Sequence, residues 1–100
     1  MGSKLVRDKI PQIIEESGKT PQTHIADPEE YYTALQQKLK EEIEEYSVND
    51  DVEELADILE VIRAIANAKQ LNWNDLEKIR TDKAQKNGSF HKRIILDDIS

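Results

Sequence analysis

Hydrophobic residues recur at helical spacing along most of the chain, and short polar breaks separate the segments that carry them. From residue 28 onward, apolar side chains recur within an arc of about 80° on a helical wheel. After a break at residues 47–51, a second segment carries a similar apolar stripe. We therefore predict two long amphipathic helices, whose stripes are Tyr32, Leu35, Leu39, Ile43 and Tyr46 in the first and Leu55, Ile58, Leu59, Ile62, Ile65 and Ala66 in the second.

Start and stop signals set the predicted boundaries of the first two helices. Asp8 is a candidate N-cap of a short helix within residues 5–17. Residues 19–26 have no helical period and predict a loop with at most a brief extended piece. Residues 27–30 then combine an N-cap aspartate, a proline at N1 and a glutamate at N3. This start predicts a helix that runs to about Tyr46.

The break at Asn49-Asp50-Asp51 separates the second helix from a third. Either aspartate can cap the third helix, which we expect to continue to about Lys69. A connection this short makes the two helices antiparallel neighbours.

The end of the chain predicts one more helix and a tail. Asn74-x-x-Glu77 is a capping-box pattern, and the helix that it opens can reach Asn87, with Gly88 as a left-handed terminator. Residues 90–96 then predict a short strand or an arm. The sequence thus indicates an all-α fold, a small helical bundle of about four helices with a short C-terminal extended arm.

Composition supports a single domain, residues 1–100, and limits its partners. The net charge of −7 disfavours a nucleic-acid backbone or an anionic membrane surface as a partner. Because cysteine is absent, a metal site would need oxygen or imidazole ligands. No apolar run approaches the roughly 20 residues that span a bilayer. The start Met1-Gly2-Ser3-Lys4 lacks the apolar core of a signal peptide, so we expect a cytoplasmic protein.

Four carboxylates lie beside the apolar stripes of the second and third helices. Glu42 falls roughly 20° outside the first stripe, and Glu45 lies about 60° further out on the same flank. On the third helix, Glu54 lies at the border of the stripe and Asp57 lies next to it. Each helix therefore offers two carboxylates one turn apart on one side. The neighbours that we expect to point away are Glu41, Glu44, Glu53 and Glu60.

If the two helices are antiparallel, both acidic pairs approach one another near their shared end. Like charges in one half-buried pocket repel and need a cation, and Mg²⁺ is the natural candidate because it takes carboxylate oxygens. An alternative remains open on spacing alone. Acidic runs on helices are usually solvated surface, and Glu54 can be only the N3 residue of a cap begun by Asp51.

The acidic pairs belong to a longer pattern. Glu41-Glu42-x-x-Glu45 followed by Glu54-x-x-Asp57 resembles the signature of the all-α NTP pyrophosphatases, the superfamily of MazG, dimeric dUTPase and phosphoribosyl-ATP pyrophosphohydrolase. The resemblance covers nearly the whole chain and is closest to a small single-domain branch of house-cleaning pyrophosphatases. The other segments that carry it are Lys4-Leu5-Val6-Arg7-Asp8-Lys9-Ile10-Pro11, Glu54-Leu55-Ala56-Asp57-Ile58-Leu59-Glu60-Val61-Ile62 and Lys83-x-x-x-x-Gly88-x-Phe90-x-Lys92-Arg93-Ile94.

The resemblance implies an enzyme that hydrolyses a nucleoside triphosphate to the monophosphate and pyrophosphate, with noncanonical nucleotides as the expected substrates. Its ligands for Mg²⁺, or for Mn²⁺ as a substitute, would be Glu42, Glu45, Glu54 and Asp57. Glu42 and Glu45 would act in catalysis, with Glu45 as the general base because it lies further from the core. The residues expected to bind the substrate phosphates are Lys38, Arg7, Lys9, Lys83 and Arg93.

The resemblance also implies a homodimer or a dimer of dimers. Val61, Ala64 and Ala68 widen the apolar arc of the third helix, which favours a subunit interface independently. Two other functions remain open, phosphoribosyl-ATP hydrolysis and a helical interaction module that has lost catalysis. The tail departs from the branch, whose usual Arg-Gly-Gly-Phe is replaced here by residues 87–90, Asn-Gly-Ser-Phe.

Overall fold

The computed structural model describes residues 3–100. Met1 and Gly2, on which the expectation about a signal peptide partly rests, lie outside the described residues. Within residues 3–100 the chain forms no β-strand, so an all-α fold of four helices is confirmed and a strand in the tail is wrong. The helices are α1 (Ile10–Glu16), α2 (Pro28–Asn49), α3 (Val52–Ala68) and α4 (Trp73–Asn87).

Side-chain caps define the hairpin of α2 and α3. The Asp27 carboxylate accepts a hydrogen bond of 2.9 Å from the backbone N–H of Glu30, which confirms the predicted start of α2. The helix continues beyond Tyr46 to Asn49, and its C-cap is Asp50, whose φ of 49° is left-handed. Asp51 then caps α3, because its carboxylate accepts from the backbone N–H of Glu53 at 3.1 Å. Asp50 and Asp51 thus form the whole connection between α2 and α3.

Two predicted helix starts are wrong. The N-cap of α1 is Lys9 rather than Asp8, and its side chain makes no capping hydrogen bond. At α4 the capping box is formed by Asn72 and Asp75, whose side chains each accept from the other residue's backbone N–H. Asn74 lies two residues too late because the helix already begins at Trp73.

The predicted last residue of α4 is right, but the predicted conformation of the glycine that follows it is wrong. The helix ends at Asn87, and Gly88 follows it with φ 87° and ψ 171°. This is an extended conformation of positive φ, which glycine adopts freely, and not the left-handed helical terminator that we expected. Residues 88–100 continue without regular structure, and their side chains are exposed.

The packing faces of α2 and α3 are displaced toward their acidic flanks. On α2 the buried residues are Leu35 and Glu42, while Ile43 on the opposite side of the stripe is 47% exposed. On α3, Val61 is buried and Leu59 is 52% exposed. Both helices therefore turn carboxylate-bearing sides inward and leave part of their apolar stripes in solvent.

This displacement corrects one argument for an oligomer. Val61, which we expected to widen the apolar arc of α3 toward another subunit, is buried by its own chain. Ala64 is half-buried, and only Ala68 of the three is exposed. The apolar surface that α3 leaves free lies instead at Leu55 and Leu59, which are 42% and 52% exposed.

The chain forms an elongated molecule with a small core. Its radius of gyration is 17.8 Å, compared with about 13 Å for a compact chain of 100 residues. The apolar residues that are buried within residues 3–100 are Leu35, Val61 and Ala66. α2 packs along α3 and α4 packs on α3, whereas no Cα of α1 comes within 8 Å of a Cα of the other helices. None of the described helices combines the length and the apolar character needed to cross a bilayer.

Candidate metal centre

Three predicted ligands meet between α2 and α3. One carboxylate oxygen from each of Glu42, Glu54 and Asp57 lies within 4.8 Å of the other two. The antiparallel hairpin explains the meeting, because Glu42 lies in the last two turns of α2 and the other two residues lie in the first two turns of α3. We refer to these three side chains as the carboxylate cluster.

Two oxygens of the carboxylate cluster are buried without a partner. Glu42 is 6% exposed, and its Oε2 accepts no hydrogen bond within the described residues. Oε2 of Glu54 is also buried and has no partner there, while Oε1 of the same group accepts a 3.3 Å bond from the side-chain amide of Asn49. Buried carboxylate oxygens are costly to leave unsatisfied. The pair of orphaned oxygens therefore marks a place where a cation would be stabilised.

Two basic side chains neutralise part of the carboxylate cluster. Nζ of Lys38 lies 3.2 Å from Oε1 of Glu42 and 3.5 Å from Oε1 of Glu41. Burial of Lys38 acts to lower its pKa, but the hydrogen bond to Glu42 and the attraction of both glutamates outweigh it, so the pKa of Lys38 is raised. On the other side, Nη2 of Arg7 donates to Oδ1 of Asp57 at 2.6 Å. Lys38 and Arg7 thus act as counter-ions of the cluster.

Glu45, the fourth predicted ligand, lies in a second, overlapping group. One of its carboxylate oxygens lies within 4.8 Å of oxygens of Glu41 and Glu42, and the group contains no residue of α3. The negative charge of Glu42, with some desolvation and the charges of Glu54 and Glu41, raises the pKa of Glu45. The expectation that Glu41 points away is therefore wrong, since it is half-buried and belongs to this group.

A cleft of about 470 Å³ opens beside the carboxylate cluster. Its walls come from the N-terminal segment, α1, α2 and α3, and the apolar side chains of Leu5, Ile10 and Ile13 form much of the N-terminal wall. Glu42 and Asp57 reach the cleft, so the cluster is accessible from it. A volume of this size falls in the range of small-molecule sites.

The predicted phosphate-binding residues divide into two sets. Arg7, Lys9 and Lys38 line the cleft. Lys83 lies on α4 and Arg93 in the tail, and neither is among the residues that line this cleft. For Lys83 and Arg93 the phosphate-binding role stays a prediction without geometric support from this chain.

Three residues of the site were missed by sequence reasoning. Glu60 is exposed, as expected, but it lines the cleft together with Tyr31. Asn49 positions Glu54 through its amide. The signal for Glu60 was present, because it lies one turn after Asp57 on the same helix. Tyr31 and Asn49 depend on the tertiary packing of the hairpin, which the periodicity does not specify.

The residues present fit a hard divalent cation. All donors of the carboxylate cluster are oxygens, the type that Mg²⁺ and Mn²⁺ bind, and two of them are buried without a partner. Glu42, Glu54 and Asp57 would hold the ion from two helices, and the cleft leaves room for water or ligand oxygens beside it.

Comparison with known proteins identifies a partial relative. A protein of Mycolicibacterium smegmatis, itself described as uncharacterized, is 44% identical over 48 residues, which cover 48% of this chain and 49% of that protein. The aligned region thus spans about half the length of either chain. No family model matches the sequence, and no solved structure matches it.

Proposed function

We propose that this protein is a Mg²⁺-dependent nucleoside triphosphate pyrophosphohydrolase that acts on noncanonical nucleotides. The observation that carries the proposal is the pair of buried, unpartnered oxygens of Glu42 and Glu54 beside Asp57. If the acidic residues of α2 and α3 were only solvated surface residues, the two helices would not bury their carboxylate oxygens. The inward rotation of the acidic flanks therefore supports a cation site over a solvated surface.

The cleft supports a nucleotide as the ligand. Its apolar wall, which includes Ile10, Ile13 and Tyr31, suits a planar base and a sugar. The same cleft is lined by Arg7 and Lys38, which are paired with residues of the carboxylate cluster, and these cations suit phosphate oxygens. A ligand with an apolar body and an anionic group matches this combination of lining residues.

The side chains divide the chemistry between them. Glu42, Glu54 and Asp57 would hold the ion, and the ion when bound would withdraw charge from phosphate oxygens and acidify a coordinated water. Lys38 would stabilise charge on the phosphate chain, because it is held at the edge of the cluster by Glu42. Glu45, which is outside the three-residue cluster and has a raised pKa, is the group that would accept a proton from water.

An exposed apolar face on the hairpin supports the proposal that two or more copies of the chain assemble. Ile43, Leu55 and Leu59 leave an apolar face exposed on the hairpin, and the antiparallel arrangement brings Ile43 near the level of Leu59. The small core and the elongated shape indicate that this face is unsatisfied in the single chain. We therefore propose a homodimer, or a dimer of dimers, in which these residues are covered.

Pyrophosphate release from a panel of canonical and noncanonical nucleoside triphosphates with Mg²⁺ tests the proposal. We expect Glu42→Gln and Asp57→Asn to lower kcat by at least about a hundredfold, because removal of a group that stabilises developing charge costs that much. Glu53→Gln is the matched control, since Glu53 lies beside Glu54 and its exposed side chain is not part of the carboxylate cluster.

The outcomes are separable. Activity of the wild type and of Glu53→Gln with loss in the two cluster variants supports the proposal. Equal activity in all four proteins would remove the carboxylate cluster from the mechanism. Absence of pyrophosphate release from every nucleotide, together with no Mg²⁺ effect on melting temperature, would favour the helical interaction module.

A further inference from the structure

Arg7 connects the N-terminal segment, residues 3–9, to the carboxylate cluster. Its Nη2 donates to Oδ1 of Asp57 at 2.6 Å, across 50 residues of sequence. Among residues 3–100, this is the one side-chain hydrogen bond that joins the N-terminal segment to the α2–α3 hairpin. We call this contact the Arg7–Asp57 clasp.

α1, which follows the N-terminal segment, is loosely attached to the hairpin. No Cα of α1 approaches a Cα of α2 or α3 within 8 Å, and the cleft lies between them. Ile13, the middle apolar residue of α1, is 55% exposed. Few buried apolar contacts therefore hold α1, and segments of this kind have low local stability. The Arg7–Asp57 clasp therefore contributes to the position of the N-terminal segment and of α1.

Arg7 and a divalent cation compete for one carboxylate. Asp57 has a single negative charge, and Arg7 already takes one of its two oxygens. A dication held by Glu42, Glu54 and Asp57 would lie close to the guanidinium and repel it. The Arg7 side chain is 57% exposed, so it can leave Asp57 at small energetic cost.

Lys38 differs from Arg7 in this respect. It reaches Glu42 from one turn earlier on the same helix, so its displacement moves only a side chain. Arg7 belongs to a separate segment that forms a wall of the cleft. Displacement of Arg7 therefore changes the attachment of that wall.

We propose that Arg7 is a removable counter-ion: it holds Asp57 and the N-terminal segment together without metal, and a divalent cation at the carboxylate cluster releases it into the cleft. This inference rests on the proposed metal site. The released guanidinium faces the space where an anionic phosphate group of a ligand would lie. Arg7 is thus a positioning residue that couples metal occupancy to the cleft wall.

Calorimetric titration with Mn²⁺ alone tests the competition. We expect Arg7→Gln to bind Mn²⁺ about tenfold more tightly than the wild type, because a coupled competitor has been removed. Lys4→Gln is the matched control, since it removes the same charge from the same segment, and the Lys4 side chain makes no hydrogen bond or ion pair within the described residues. Its Mn²⁺ affinity should stay within about twofold of the wild type.

Amide hydrogen exchange over residues 3–17 provides the second readout. Mn²⁺ should speed exchange there in the wild type, whereas Arg7→Gln should exchange quickly with or without metal. If Arg7 instead supports Asp57 as a ligand, Arg7→Gln will bind Mn²⁺ more weakly, and that result overturns the inference alone. A wild type that binds no Mn²⁺ overturns both this inference and the proposed function.

Discussion

Lys38 and Glu42 form the least exposed ion pair among residues 3–100, with side chains that are 20% and 8% exposed. Nζ of Lys38 lies 3.2 Å from Oε1 of Glu42, while Oε2 of the same carboxylate has no partner there. One oxygen of the buried Glu42 carboxylate is thus paired with a cation of the protein, and the other oxygen is not. This half-neutralised state is the electrostatic basis of the proposed cation site.

Substitution of Lys38 tests that relationship in the metal-free protein. Lys38→Met should lower the free energy of unfolding by about 3 kcal/mol, because loss of one partner leaves a buried charge unpaired. Addition of Mg²⁺ should restore part of the loss, since the ion binds the same carboxylate. Urea denaturation with EDTA and with Mg²⁺ measures both effects.

Two variants give that experiment its controls. Lys40→Met changes an exposed lysine on the same helix and should alter stability by less than about 0.5 kcal/mol. Lys38→Met combined with Glu42→Gln should be more stable than Lys38→Met alone, because the orphaned charge is gone. Equal stability of Lys38→Met and Lys40→Met would show that the pair is not buried in solution.

Glu45 gives the metal-free protein a pH dependence of known sign. Repulsion by Glu42 raises its pKa above the ordinary 4.5, so the folded state binds this proton more tightly than the unfolded chain does. The stability that the folded protein gains from this tighter proton binding at Glu45 is fully present below pH 4.5 and is lost as the pH rises through the folded-state pKa. Near neutral pH, Glu45→Gln should therefore melt at a higher temperature than the wild type.

Melting curves in EDTA across this pH range measure the effect. The difference between Glu45→Gln and the wild type should shrink toward zero as the pH falls below 4.5. Glu44→Gln, its exposed neighbour, controls for a general loss of negative charge. A difference that stays constant with pH would contradict the assigned repulsion.

Helix boundaries were predictable where one local signal acted alone. Asp27 and Pro28 defined the start of α2, because a cap depends on residues within one turn. For α3 the sequence left Asp50 and Asp51 open as caps, and the structure has Asp51. The sequence pattern placed the N-cap of α4 at Asn74, whereas the structure has it at Asn72. The choice depends on Trp73 entering the helix, which local capping rules do not decide.

The rotation of the hairpin helices was not predictable from periodicity. The helical wheel placed Ile43 and Leu59 in the apolar stripes, but the structure leaves both side chains about half exposed. Glu42 lay beside the stripe on the wheel and is buried. Hydrophobic periodicity locates an apolar arc but not the part of it that meets the neighbouring helix, which depends on the partner's shape. Three of the predicted ligands, Glu42, Glu54 and Asp57, come together because they lie on the side that turned inward, whereas Glu45 lies outside that cluster.

The capping box of α4 can be tested directly. Asn72→Ala should lower the free energy of unfolding by about 1 kcal/mol, because it removes the acceptor of the Asp75 backbone N–H at 2.8 Å. Asn74→Ala is the matched control and should change stability by less than about 0.5 kcal/mol. Chemical denaturation compares them, and a larger loss in Asn74→Ala would return the cap to the position first predicted.

The exposed apolar face of the hairpin predicts the response of the oligomer to substitution. Leu55→Gln with Leu59→Gln should shift the protein from at least twice the chain mass of 11.5 kDa to a monomer, because both leucines lie on the face proposed to be covered by a second copy. Sedimentation equilibrium measures the mass. Ile25→Gln is the control, since Ile25 is 96% exposed in the loop before α2 and lies outside this face. A wild type that sediments as a monomer, or a double variant that keeps the wild-type mass, would show that this face does not join two copies.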